Sequence, residues 1–313
     1  MEIVSWNINP DLKKVTDEHY RSRVHGSVKR KHPMDIIREV TFDGGAPELT
    51  LDEVSAFIAY VDRHVLHGNI RGIGLDVGGG PGTMSSILAK KPEVEKMYSV
   101  EVSANLITEL MPVVAEYILG KENVNIVVGC IGEFDNIELP DNSLDFVFDF
   151  FALHHSGDLK KTLAEIYRVL KPGGVLVCFD KARDDAMSEA DLERLLDIEY
   201  PASFKEKMGI DPKVKHTRRM NGEYEYRLKD WRQHVLHAGF SSMEHFNVAR
   251  TVSAMLLVRA AKYALSLLPP RLQAHITRLF PITPTSNISA NNRVYTPLVN
   301  HFQKEISLII GYK

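Results

Sequence analysis

The feature that most constrains this 313-residue chain is an apolar run that stops on a cluster of glycines. Residues 73–77 read as a short buried parallel strand, and Gly78-Gly79-Gly80-Pro81-Gly82 follows at once. Glycines there let the backbone pass close to a ligand and turn into a helix whose first amides face it. A dinucleotide-binding turn needs a small third residue at position 83 if Gly78 and Gly80 are the first two, and position 83 is Thr. The triphosphate-cradling pattern needs Lys-Ser or Lys-Thr after the glycines, and neither is present. The turn suits a nucleoside without phosphates better than either.

The chain around the turn alternates. Helix is expected at 50–66, with Thr50 and Glu53 as a capping box, then at 83–89, 104–119 and 159–170. Strands are expected at 73–77, 96–100, 125–129, 144–150 and 175–180. Strands alternating with helices imply right-handed crossovers and a mostly parallel sheet covered on both faces. After Asp180 the rhythm loosens. A polar helical stretch at 188–207 precedes a helix at 228–238 and a strand at 243–248. Helices at 252–268 and 271–280, a loop at 281–300 and a last strand at 305–312 complete the chain. The expectation is α/β, a seven-stranded sheet with two insertions.

The formal charge of −3 argues against a nucleic-acid partner, which a basic excess would answer. Cys130 and Cys178 lack metal or disulfide-framework spacing, which fits a reducing cytoplasm. Residues 1–6 lack the plan of a signal peptide, and no apolar run reaches the roughly 18 to 20 residues that a membrane span needs.

Glu101 ends the second strand about 20 residues after the turn, where an acid can accept both hydroxyls of a ribose. With it, four blocks stand in order: Leu75 to Gly82, Val100-Glu101, Leu139 to Val147, and Ile166 to Gly174. In these the sequence resembles the class I S-adenosylmethionine-dependent methyltransferases, particularly their broad small-molecule group. A weaker block at 231–240 extends the likeness to about residue 248.

The resemblance implies a Rossmann-like sheet with helices on both faces and helical insertions at 183–227 and 249–302 forming a substrate cap. It divides the chain into an N-terminal helical lid segment, 1–68, and a cofactor-binding domain, 69–313. Gly78, Gly80 and Gly82 would lie under the methionine part of S-adenosylmethionine, with Asp76 helping to hold its amino group. Glu101 would bind the ribose, and Cys130 and Ile131 would flank the adenine, Cys130 replacing an acid frequent in the family. Phe150 would line the pocket. S-adenosylhomocysteine would be the product, and no metal is expected.

Past the strand at 144–150, His154 and His155 are placed to take a proton from an acceptor, or else to support the pocket. Asp149 and Asp180 also end strands facing that cleft. The expected partner is a small apolar acceptor, methylated on oxygen, with nitrogen, carbon or a macromolecule as alternatives and a non-catalytic binding protein as the other class. Residues 252–268, apolar and basic, are candidates for a helix on the core, a homodimer surface or peripheral membrane contact.

Overall fold

Ten apolar or alternating runs become one sheet, in the order β1-β4-β3-β2-β5-β6-β10-β7-β9-β8. The computed structural model describes residues 1–10, 32–42, 50–207, 209–250, 263–265, 267–269, 272, 287–289, 293–296 and 306–313. The strands are β1 Glu2–Ser5, β2 Gly72–Val77, β3 Val94–Glu101, β4 Val127–Ile131, β5 Leu144–Phe150, β6 Leu170–Asp180, β7 Ser242–Arg250, β8 Asn287–Ser289, β9 Arg293–Thr296 and β10 Ile306–Tyr312. From β1 across to β6 every pairing is parallel, and β10 runs antiparallel between β6 and β7. The central seven strands, β4 to β7, are the seven expected from the sequence.

Three further strands correct that count. β1 adds to the β4 edge, and β9 with β8 extends the sheet beyond β7. Runs of three or four residues offer too short a pattern to separate from loop. The 281–300 segment, expected as loop, contains two of them, and Val294 of β9 is fully buried.

Helices α1 Pro33–Ile36, α2 Leu51–His64, α3 Thr83–Ala89, α4 Met111–Leu119, α5 Leu159–Val169, α6 Glu189–Leu196, α7 Ala202–Lys207 and α8 Leu228–His237 accompany the sheet. Thr50 and Glu53 form the expected capping box of α2. The helix expected at 104–119 is divided, because Pro112 has no N–H to continue the ladder. A π turn over Leu106–Leu110 precedes α4 there. The helices expected at 252–268 and 271–280 lie largely outside the described residues.

Alternate residues of each strand feed opposite faces. Phe146, Phe148, Val177 and Phe179 pack with Phe57 and Leu88 on one side. Val147, Leu176 and Cys178 pack with Leu163, Ile166 and Trp231 on the other. Residues 32–42 join the first cluster through Met34, Ile36, Ile37 and Phe42. The parallel strands therefore end together, at Val77, Glu101, Ile131, Phe150 and Asp180, where open α/β sheets bind ligands.

Candidate active site

The turn after β2 is held open by backbone that only glycine adopts readily. Gly78, Gly80 and Gly82 have φ of +65°, +54° and +76°. A Cβ at Gly78 would stand 2.2 Å from the Cβ of Ala152, and one at Gly82 would stand 2.6 Å from Met111 Cγ. At Gly80 it would meet nothing within 4 Å. Two of these glycines are therefore required by the protein's own packing, while Gly80 turns its bare face to open space.

Glu101 braces that face. Its Oε2 accepts a hydrogen bond from the Gly80 N–H at 3.2 Å, and Oε1 accepts from the Ser103 N–H at 2.9 Å. Asp76 lies beneath the turn, fully buried, and its Oδ2 accepts from the Ser85 hydroxyl at 2.5 Å. Ile131 closes β4 at the rim. Cys130 is one residue deeper with no exposure, and burial pushes its thiol up to about 12, so it stays protonated. Phe150 stands edge-on to Phe42 and Phe151, 6.0 and 5.3 Å between ring centres.

The chain leaves β5 through a tight turn. Phe151 takes φ of +62°, a strained value for a bulky side chain, and donates its N–H to Phe179 O at 2.9 Å. Asp149 fixes the turn, its Oδ1 accepting from the Ala152 and Leu153 amides at 3.0 and 2.9 Å. That places His154 and His155 at the sheet's end, ring centres 4.3 Å apart. Asp180 grips His154 twice, through the backbone N–H at 2.8 Å and ring Nδ1 at 2.7 Å. Burial works to raise the Asp180 carboxyl, but the His154 ring beside it prevails and holds it below the usual carboxylate range. Burial and that neighbouring charge push Asp149 well above its ordinary value. Asp149, Cys178 and Asp180 cluster closely, but their oxygens are already committed to the turn, the thiol and His154.

The segment following β6 folds over this turn. His155 Nδ1 donates to Gly222 O at 3.1 Å, and the Tyr224 amide donates to His154 O at 2.8 Å. Lys181 pairs with Glu223, and Tyr226 donates its hydroxyl to Ser156 O at 3.2 Å. Glu225, its side chain without exposure, lies between Arg183 at 2.5 Å and Arg218 at 2.9 Å.

Comparison with known proteins gives this arrangement its class. Residues 75–178 match the family described as a methyltransferase domain. That segment is a methyltransferase domain, and with it the chain is similar to the class I S-adenosylmethionine-dependent methyltransferases. It is 28% identical over 190 residues to a ubiquinone/menaquinone biosynthesis C-methyltransferase of Hydrogenovibrio crunogenus, covering 58% of this chain and 70% of that one. It is 41% identical over 59 residues to a malonyl-[acyl-carrier protein] O-methyltransferase of Coxiella burnetii, 19% of this chain and 21% of that one. A solved Galdieria sulphuraria structure assigned as a sarcosine dimethylglycine methyltransferase shares the fold, with a TM-score of 0.50 at 17% identity, covering 96% of this chain and 98% of that one.

The methyltransferase uses S-adenosylmethionine, and the open face at Gly80 beside the Glu101 carboxylate fits a ligand laid across the turn. Among the described residues, no helix is long and apolar enough to cross a membrane. The residues that sequence reasoning missed are those of the 183–227 segment, Gly222, Glu223, Tyr224 and Glu225, together with Ser85 and Ser99 beneath the turn. None carries a local signal, since Gly222 meets a histidine 67 positions away.

Asp76 should give the methyltransferase a measurable pH dependence of stability. Burial pushes its carboxyl up to about 7, with Glu101 adding to the rise and Ser85 opposing it. A carboxyl raised in the folded state adds stability that is complete below its unfolded value of 3.8 and is lost as pH rises through about 7. Between those values wild-type unfolding free energy should fall more steeply than that of Asp76→Asn, by up to ~1.4 kcal/mol per pH unit. Denaturant unfolding at pH 5, 6 and 7 checks this; parallel slopes in the two proteins would show that Asp76 is already ionised.

Proposed function

We propose that the enzyme transfers the methyl group to the oxygen of an apolar, ring-bearing acceptor held over His154 and His155. The observation that carries this reading is the juxtaposition of two imidazoles with the Phe150 and Phe151 rings at the strand ends. Bound S-adenosylmethionine supplies an electrophilic methyl on positive sulfur and leaves as a neutral thioether. The protein's share is to hold the acceptor in line, exclude water and accept one proton.

On this reading Gly78, Gly80 and Gly82 form the cofactor floor, Asp76 supports its amino end, Glu101 takes the ribose, and Ile131 flanks the adenine, while the Cys130 side chain is buried in the core on the other face of the sheet. Phe150 separates cofactor from acceptor. Residues 32–42 and the described residues of 183–227 then cover the acceptor side. The contacts in favour are the Thr41 and Thr83 hydroxyls at 2.7 Å, the Phe42–Phe150 ring pair, and the bonds from residues 222–226 to the histidine turn. A relative named for quinone biosynthesis and one named for a malonyl-carrier O-methyltransferase support an apolar or carrier-borne acceptor. The first of these names also favours a second reading, transfer to a ring carbon activated by an adjacent hydroxyl.

Glu101→Ala should weaken S-adenosylmethionine binding at least tenfold, because each charge-assisted bond to a ribose hydroxyl contributes about 1.5–3 kcal/mol. Calorimetry measures it, and unchanged affinity would remove Glu101 from the cofactor site. Incubation with methyl-labelled cofactor and a panel of hydroxylated aromatic compounds tests the acceptor. Product from phenols or quinols, with the methyl located on oxygen by mass spectrometry, supports the proposal; a methyl on carbon selects the second reading.

A further inference from the structure

We propose that His154, oriented by Asp180, is the general base of the transfer, while His155 fastens the covering segment. This rests on the O-methyl reading above. An ionised carboxylate only accepts hydrogen bonds, so the nitrogen facing Asp180 must carry the proton. The 2.7 Å contact between His154 Nδ1 and Asp180 Oδ1 thereby fixes the Nδ1–H tautomer and leaves the Nε2 lone pair available. Asp180 is itself immobilised, with no side-chain exposure and further bonds from the His154 and Lys181 amides at 2.8 and 2.6 Å.

Nε2 is aimed at accessible space. The His154 side chain retains 6% exposure. Nε2 makes no hydrogen bond among the described residues, nor does it stand among the buried polar atoms left without a partner. Its residual exposure therefore lies at that edge of the ring. His155 is the more exposed ring, and it differs in its partner. Its Nδ1 is occupied by Gly222 O, and no carboxylate hydrogen-bonds its ring among the described residues. Desolvation, with His154 and Lys181 alongside, works to lower its pKa although the ring stands exposed, and what separates the two rings is that a carboxylate orients His154 and a backbone carbonyl holds His155. Asp149, which burial and the Asp180 charge push well above its ordinary value, bonds the turn amides and the Cys178 thiol, and among the described residues Asp180 is the carboxylate that bonds the His154 ring.

In the transfer, the acceptor O–H bond breaks as its electron pair forms the new bond from oxygen to the methyl carbon. The carbon–sulfur bond breaks with its pair staying on sulfur, and the proton passes to His154 Nε2. The imidazolium so formed is stabilised by the Asp180 carboxylate, the division of labour of a base and its orienting acid. Asp180 is a positioning residue, since it acts only through His154.

The test begins with nitrogen–proton correlation NMR of the histidine rings in full-length protein at neutral pH, the His154 signal being identified by its loss in His154→Gln. The expected result is a neutral ring protonated on Nδ1 alone, and loss of that pattern in Asp180→Asn. A wild-type ring protonated on Nε2 overturns the dyad. With an acceptor from the hydroxylated aromatic panel, Asp180→Asn should lower kcat about 100-fold or more, with cofactor affinity unchanged by calorimetry. His154→Gly should lose as much and be partly restored by added imidazole. His155→Gln should lose far less and gain nothing from imidazole. Full kcat in Asp180→Asn, or imidazole rescue at position 155 instead of 154, also overturns it. Wild-type failure on every hydroxyl acceptor defeats the O-methyl reading and the base role together; product formed with the wrong tautomer defeats the dyad alone.

Discussion

Gly80→Val should abolish S-adenosylmethionine binding while leaving a folded protein. The residue sits at φ +54° with nothing within 4 Å of the position a Cβ would take. Forcing a side-chain-bearing residue into that backbone costs about 1–3 kcal/mol, which lowers the melting temperature by about 2–4 °C for each kcal/mol in domains of ~150–250 residues. No neighbour has to move, so the fold absorbs the change. What the valine fills is the space over the turn, and the affinity is lost there. Gly78→Ala makes the contrast, because its Cβ would stand 2.2 Å from that of Ala152 and must displace the turn that carries the histidines. Calorimetry with S-adenosylmethionine, run beside thermal unfolding, separates the two variants. Binding retained in a folded Gly80→Val protein would show that the open face is not where the cofactor lies.

The second large effect is expected at Glu225, far from the glycines. Its side chain has no exposure and is bonded by Arg183 at 2.5 and 2.8 Å and by Arg218 at 2.9 Å. Alanine leaves two poorly hydrated guanidinium groups facing each other, a loss of about 3–5 kcal/mol for a fully buried pair. Arg183, at 18% exposure, moves the expectation to the lower end. Because the neighbouring Tyr224 and Glu223 fasten this segment to His154 and Lys181, Glu225→Ala should release it from the histidine turn. Hydrogen exchange at the Arg183 and Tyr224 amides should accelerate, methyl transfer should fall at least tenfold, and cofactor affinity should hold within about twofold. Loss of cofactor binding instead would mean that the segment supports the glycine turn and not the acceptor side.

Acid should reproduce part of that release in the wild type. Burial tends to raise the Glu225 carboxyl, but Arg183, with Lys181 and Arg218, outweighs it and holds the group below its usual 4.5. A depressed carboxyl contributes stability that is present above its unfolded value and is lost as pH falls through its folded one. Amide protection over 183–227 should therefore decline below about pH 4.5 in the wild type, while Glu225→Ala lacks that acid step.

The parts of the site that the sequence disclosed are those built from neighbours. Gly78 to Gly82, Asp76 and Glu101 lie within 26 positions, and strand-then-turn-then-helix is a local pattern whose backbone demands are written in residue type. The Thr50 and Glu53 capping box is legible for the same reason. The histidines could be placed at a strand end, but their roles could not be told apart. His154 differs from His155 only in what it meets, Asp180 across β6 for one and Gly222 from the covering segment for the other.

Edge strands failed for a related reason. β1, β8 and β9 are three or four residues each, and they are strands because β4 and β7 offered unpaired edges. Hydrogen bonds to a distant partner leave no period in so short a run. The glycine turn with its acid at the next strand thus pointed to a nucleoside ligand from sequence alone, because backbone geometry and spacing are local properties, and the resemblance across four blocks named the methyl donor. Tertiary structure decided which imidazole meets a buried carboxylate and which carboxylate anchors the covering segment. Those choices depend on groups brought together by folding from 26 to 67 positions apart.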